Sequence, residues 1–308
     1  MRIALIGNSQ LTLTVSWGIC QSELAQNIII LSGTQVGSVQ RNRNTRNTKF
    51  VADAVEDLTL ATAMHASDTQ VTFTTSCEDI SESDLVVLLP TQLPYGFHSA
   101  QALKTANLSS VRDIVPKILE HVQNAKVLVA MPFSNYISAW LHQSHGVDNL
   151  IGIANGVSTA HLKSEIATRT GYSVKDVSGL VIGDDEETFM LPQYCRVNGI
   201  PIAQLLNEAD IQSIVDAVAS RCPYTTTSEY TLASHILQVI SAISLDKKRV
   251  MSVGTLISTD TTSVFLNVPS KVGSEGIESI IPLQLTESQT EQFTNLVSQS
   301  ANVQSFNK

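Results

Sequence analysis

Four short apolar runs constrain this chain more than any other feature. Residues 2–6 (RIALI), 27–31 (NIIIL), 85–89 (LVVLL) and 126–131 (KVLVAM) are each too short to be a helix core and too continuous for a strand with one wet face. Such runs suit strands buried on both faces of a parallel sheet. Residues 70–74 (QVTFT) supply a further strand. The segments between them read as helices. Residues 11–25 are one candidate, and 108–124 are another, with Val111, Ile114, Val115, Ile118, Leu119 and Val122 at amphipathic spacing. Strands alternating with helices predict a doubly wound α/β sheet.

The pattern changes near residue 145. Beyond it, helices are expected at 158–171, 205–221, 227–243 and 286–304. A short strand is expected at 178–182, and hairpin strands at 249–257 and 262–268. The expected division is residues 1–143, a dinucleotide-binding-like domain, and 144–308, a mixed α+β domain.

Composition removes several functions. Of the 308 residues, 15% are charged, and 28 acids against 19 bases give a net charge of −9. A nucleic-acid binder carries a basic face, and a polybasic membrane docker would also be basic. No apolar run reaches the roughly 20 residues needed to span a bilayer. The four cysteines form no C-x-x-C pair, which predicts free thiols in a reduced, cytoplasmic protein.

The stretch KDVSGLVIGDDEETFMLPQYCRVNGIPIAQLL (175–206) is the most specific in the chain. With LIGIANGVSTAHLKSEIA (150–167), DKKRV (246–250), IVPKILEH (114–121) and SVFLNVPSKVG…GIESIIPLQLT (263–286), it resembles the malate/lactate dehydrogenase family over nearly the whole chain. The resemblance implies an α/β fold with an N-terminal Rossmann-type doubly wound parallel sheet. A C-terminal α+β substrate domain of the lactate/malate dehydrogenase type would follow. It also implies NAD(P)-dependent 2-hydroxyacid oxidoreductase chemistry, a small-molecule ligand, and a homodimer or homotetramer.

Each chemical position of that family is altered. The glycine turn G-x-G-x-x-G reads Gly-Asn-Ser-Gln-Leu-Thr at 7–12, so Gly7 remains while Ser9 and Thr12 replace the other two glycines. The acid that would bond the adenosine ribose is Ser32, followed by Gly33 and Thr34. Loss of that acid, with Arg41, Arg43, Arg46 and Lys49 downstream, makes NADP as well as NAD a candidate cofactor. The substrate-loop arginines fall near Pro94 and Ala100, and no arginine lies between Arg46 and Arg112; His98 is the one candidate cation in that loop. Met131 replaces the asparagine of the T-N-P turn, before Pro132. In the D-x-x-R helix motif, Ser158 replaces the aspartate and His161 the arginine.

The turn that should read G-x-H-G-D is Ile-Gly-Asp-Asp-Glu-Glu-Thr at 182–188, where Asp184 is taken as the histidine's replacement. Asp184, Ser158 and His161 are thus the candidate catalytic positions. Gly7, Ser9, Thr12, Ser32, Gly33, Thr34, Arg41 and Met131 are the candidate cofactor positions. The run of four acids has no recognised ligand spacing, so no metal is expected; it reads as a solvated turn. The resulting expectation is a degenerate family member, a pseudoenzyme lacking ordinary 2-hydroxyacid oxidation. An NAD(P)-linked oxidoreductase with a non-carboxylate substrate and a non-catalytic scaffold are the alternatives.

Overall fold

A computed structural model describes residues 1–32, 38–89, 99–153, 156–220, 229–259 and 262–306, with side chains from residue 49 onward in the second of these. The order of elements is β1 (Arg2–Ile6), α1 (Gln10–Gln21), β2 (Asn27–Leu31), α2 (Ser38–Met64), β3 (Gln70–Thr74), β4 (Leu85–Leu88), α3 (Ala100–Leu119), β5 (Lys126–Val129), α4 (Ser134–His145) and β6 (Leu150–Gly152). There follow α5 (Gly156–Thr170), β7 (Val177–Ser178), β8 (Val181–Gly183), β9 (Thr188–Met190), β10 (Arg196–Val197), β11 (Ile200–Pro201) and α6 (Glu208–Ala219). The chain then forms α7 (Glu229–Ser244), β12 (Arg249–Ser258), β13 (Ser263–Gly273), β14 (Gly276–Ile280) and α8 (Glu287–Val303).

The first six strands form a parallel sheet in the order β3-β2-β1-β4-β5-β6. The short apolar runs are its central strands, and alternation along them builds two layers. Ile3, Leu5, Ile28, Ile30, Leu85 and Val87 face one layer, packed with α1, α2 and α7. Ala4, Ile6, Ile29, Leu31, Val86 and Leu88 face the other, packed with α3 and α4. Burial of both faces explains why these runs carry no polar alternation. The chain leaves β1 toward β2 on one side and returns to β4 on the other, so a crevice opens beyond the carboxyl ends of β1 and β4.

The sheet continues past β6 into the second half. Gly254 of β12 pairs with Gly152 of β6, and β13, β8 and β9 extend the sheet, with β14 on the far part of β13. The junction requires glycine. A Cβ on Gly254 would lie 2.2 Å from Asn135 Oδ1 and 2.8 Å from the Gly152 Cα. The parallel strands thus run beyond residue 143 and join the C-terminal hairpin directly.

Several elements differ from the sequence reading. Helix α1 stops at Gln21 rather than 25. Helix α3 begins at Ala100 and stops at Leu119 rather than spanning 108–124. The single strand expected at 178–182 is two strands, β7 and β8, in different sheets. Helices α2 and α4 were not anticipated: the first turns of α2 are polar except for Val39, and α4 carries polar residues at seven of its 12 positions.

Candidate functional site

The glycine turn follows β1. The Gly7 amide donates to the Leu31 carbonyl at 3.0 Å. No side chain fits at Gly7, because a Cβ there would lie 2.8 Å from Thr12 Oγ1 and 3.0 Å from Leu89 Cβ. Thr12 is fully buried and fills the space that a third glycine leaves open for close helix–strand packing. Its Oγ1 also accepts the Ser9 amide at 3.4 Å, so one backbone donor of the anion cradle is already used. The Ser9 hydroxyl is buried with no partner among the described residues.

Ser32 is buried at the end of β2, with its amide donating to the Thr74 carbonyl at 3.1 Å. It carries no charge for a ribose. Gly33 and Thr34 lie outside the described residues, as do the side chains of Arg41, Arg43 and Arg46; Pro94 and His98 also lie outside them. Taken together, Thr12 in the cradle and Ser32 at the hook do not fit a dinucleotide as the glycine-and-acid pattern does.

At the end of β5, Met131 is buried in the layer shared with α3 and α4. Phe133 then caps α4 with φ 64° and ψ 38°, a left-handed conformation that is costly for a bulky residue. On α5, Ser158 is buried. His161 lies 4.0 Å from the Glu165 carboxylate one turn on, and Glu165 also pairs with Arg169 at 3.5 Å.

The run of four acids is solvated in part: Glu186 and Glu187 are exposed, Asp184 is half-buried and Asp185 is buried. Each acid is tied to a different group. Asp184 Oδ1 accepts the amides of Glu186 and Glu187 at 2.8 and 2.7 Å, and Oδ2 accepts the Ser300 hydroxyl of α8 at 2.8 Å. Asp185 Oδ1 accepts the Asn135 amide at 3.0 Å, and Oδ2 accepts the Tyr136 amide at 2.8 Å. Glu186 lies 4.0 Å from the Lys104 ammonium of α3. Glu187 accepts from Gln292 of α8 at 3.4 Å. The turn is therefore a junction of α3, α4 and α8.

Asp184 and Asp185 consequently play different parts. Asp184 shapes the turn. Asp185 is 6% exposed and caps the amino end of α4. Counted from Gly183, the histidine of G-x-H-G-D falls on Asp185, one residue beyond the position read from sequence. Burial pushes the Asp185 carboxyl up to about 7; the Tyr136 and Asn135 amides lower it, Asp184 raises it and Lys104 lowers it. Among the described residues, the hydrogen-bond partners of the Asp184 and Asp185 carboxylates come from α4, α8 and the turn.

Lys104 escaped the sequence reading. It is 8% exposed, with its ammonium 4.2 Å from the Tyr136 ring centroid and 5.7 Å from that of Phe133. A sequence signal existed: Lys104 begins the stripe 104–108–111–115–118, in which every later member is apolar. A cation on a core stripe is a buried charge that needs a partner. Of the four thiols, Cys222 lies outside the described residues. Burial raises Cys20 and Cys195 to about 11, and Cys20, Cys77 and Cys195 are unbridged.

The class defined by this arrangement is an α/β protein with a Rossmann-type parallel half continuous with an α+β half. No family model matches the chain. It is 26% identical over 308 residues to a malate dehydrogenase of Nitrosococcus oceani, covering 96% of this chain and 94% of that one. The malate dehydrogenase structure from Aeropyrum pernix superposes with a TM-score of 0.84 at 21% identity, covering 98% and 96% of the two chains. The lactate dehydrogenase of Cryptosporidium parvum, solved with lactic acid and β-nicotinamide adenine dinucleotide, gives 0.83 at 19% identity, covering 98% and 96%. In sequence and in fold, this chain resembles the malate/lactate dehydrogenase family.

Proposed function

We propose that the chain keeps the malate/lactate dehydrogenase scaffold without the 2-hydroxyacid oxidation of its relatives. The observation that carries this reading is Asp185. Where the resemblance calls for an imidazole, a carboxylate spends both oxygens on α4 amides. The surrounding charge also has the wrong sign. Asp184, Asp185, Glu186 and Glu187 put four acids on one turn against a single nearby cation, Lys104, 4.0 Å from Glu186, and a carboxylate substrate meets repulsion where it needs a guanidinium clamp. Ser158 leaves no charge to orient a base, and His161 lies beside Glu165. Thr12 and Ser32 support weak dinucleotide binding.

A second reading is an NAD(P)-linked oxidoreductase with a non-carboxylate substrate. It draws on the proton affinity of Asp185, which burial brings close to that of histidine. The family resemblance further supports a homodimer or homotetramer in either case. Among the described residues, no helix is long and apolar enough to cross a membrane.

Calorimetric titration with NAD, NADH, NADP and NADPH, together with malate and lactate turnover assays, tests the proposal. It expects no saturation below millimolar nucleotide and no turnover of either acid. Turnover of malate or lactate overturns it. Saturable nucleotide binding without such turnover favours the second reading.

A further inference from the structure

A cavity of about 400 Å³ lies between α5, α7 and the start of β12. Its wall carries two cations, Lys163 of α5 and Arg249 of β12, and no aspartate or glutamate among the described residues. The chain as a whole has the opposite balance, with 28 acids against 19 bases. Neither cation has an ion-pair partner among the described residues. Burial, and then the charge of Arg249, pulls the Lys163 ammonium below its ordinary value. Two like charges without a counter-charge gain from an anion between them. Three further features of the wall suit one. His235 of α7 lines the cavity, and its Nδ1 is buried with no hydrogen-bond partner among the described residues. Burial, and then Arg249, lowers His235 to about 4, so near pH 7 the neutral ring offers an N–H donor rather than a third charge. The first turns of α5 and α7 reach the wall through Gly156, Thr159 and Thr231, and a helix start carries the positive end of its dipole. The hydroxyls of Ser178, Ser234 and Ser252 supply further donors.

We propose that this cavity binds a small phosphomonoester, with the phosphate held between Lys163 and Arg249 and accepting a hydrogen bond from His235 Nδ1. A dianion matches two cations, where a monocarboxylate neutralises one. The tetrahedral phosphate also has oxygens enough for the guanidinium fork, the ammonium and the imidazole together. A cavity of this size exceeds what a bare ion fills and lies in the range of small-molecule sites, so an organic group is accommodated beside the phosphate. The candidate catalytic positions Ser158, His161 and Asp184 do not line the cavity, so the inference stands apart from the fate of the 2-hydroxyacid chemistry.

The test is proton–nitrogen NMR of the imidazoles in a phosphate-free buffer near neutral pH, with glycerol 3-phosphate as the probe and His235→Gln used to assign the signal. Reading the imidazole separates this cavity from phosphate binding at the glycine turn. The His235 signal is expected to shift saturably, with half-saturation at about 1 mM or below. Inorganic phosphate is expected to shift it at higher concentration, and the dicarboxylate malonate more weakly than the phosphomonoester. Lys163→Gln and Arg249→Gln should each weaken binding by about tenfold or more, the size of one charge-assisted bond. Thermal unfolding without ligand checks that both variants fold. If Lys163→Gln does not, Arg249→Gln decides alone, because Arg249 is exposed. The proposal is overturned if the His235 signal does not move with the probe, or if the folded charge variants bind as the wild type does. It is overturned equally if malonate or inorganic phosphate binds as tightly as the phosphomonoester.

Discussion

The Ser300 hydroxyl donates to Asp184 Oδ2 at 2.8 Å across 116 residues of sequence. This bond joins the C-terminal helix to the acidic turn that resembles the family's catalytic turn. Ser300 is 2% exposed, so the hydroxyl side of this bond is shielded from water. Ser300→Ala therefore leaves one carboxylate oxygen unpaired and should destabilise the fold by ~1.5–3 kcal/mol, the range for a bond to a charged group. Urea unfolding measures it. Ser300→Thr keeps the hydroxyl and should lose less.

Acid titration of stability should show two buried groups working against each other. The folded-state Asp185 pKa is raised to about 7, so its contribution is fully present below the unfolded value of ~3.9 and is lost as pH rises through 7. His235 is the reverse. Burial, helped by Arg249, lowers its pKa to about 4, so its contribution is present above ~6.5 and is lost as pH falls toward 4. Between pH 7 and 4 the two slopes have opposite sign. Asp185→Asn should make stability fall more steeply with acid, and His235→Gln should make it fall less. Unfolding free energies measured at several pH values across that window check both. Equal slopes in wild type and both variants would show that neither group titrates there.

The parallel sheet was readable in the sequence because burial on both faces writes continuous apolar runs such as NIIIL, with nothing else to mimic them. Strands β9, β10 and β11 were not, since two or three residues carry no period. The site was readable only in outline. Four adjacent acids are chemically alike in sequence, and only their partners separate them: Ser300 for Asp184 and the α4 amides for Asp185. Those partners lie 116 and about 50 residues away. That distance hid which aspartate is buried. Lys104 was legible in principle from its place on an apolar stripe.

Gly156 opens α5 against His235 of α7. A Cβ at Gly156 would lie 2.0 Å from His235 Nδ1 and 2.6 Å from Cγ. The imidazole borders a cavity of about 400 Å³ that is also lined by Lys163, Tyr194 and Arg249. Gly156→Ala must displace the ring, with an expected loss of ~1–3 kcal/mol, typical of overpacking. Shortening the partner relieves the clash, so Gly156→Ala with His235→Ala should be less unstable than the sum of the two single variants. A double-mutant cycle in thermal or urea unfolding reads the coupling. Strict additivity would mean that the ring already moves freely away from Gly156.

The nucleotide turn offers the sharpest separation of scaffold from enzyme. Thr12 closes the space beside Gly7 and takes the Ser9 amide, while Ser32 leaves the ribose position uncharged. Thr12→Gly should restore a backbone donor and room for a pyrophosphate at the start of α1. It should cost stability by emptying a fully buried position and by placing glycine in a helix. Ser9→Gly removes the Cβ that faces the phosphates. Neither change supplies a contact to the ribose, so the double variant should bind NAD and NADP with similar affinity. Adding Ser32→Asp supplies an acceptor for ribose hydroxyls and repels a 2′-phosphate, so the triple variant should bind NAD more tightly than NADP by at least about tenfold, or ~1.4 kcal/mol. Calorimetry on the wild type, double and triple variants measures each step. If the wild type binds as tightly as the triple variant, Thr12 and Ser32 are no obstacle, and the scaffold reading loses its cofactor argument.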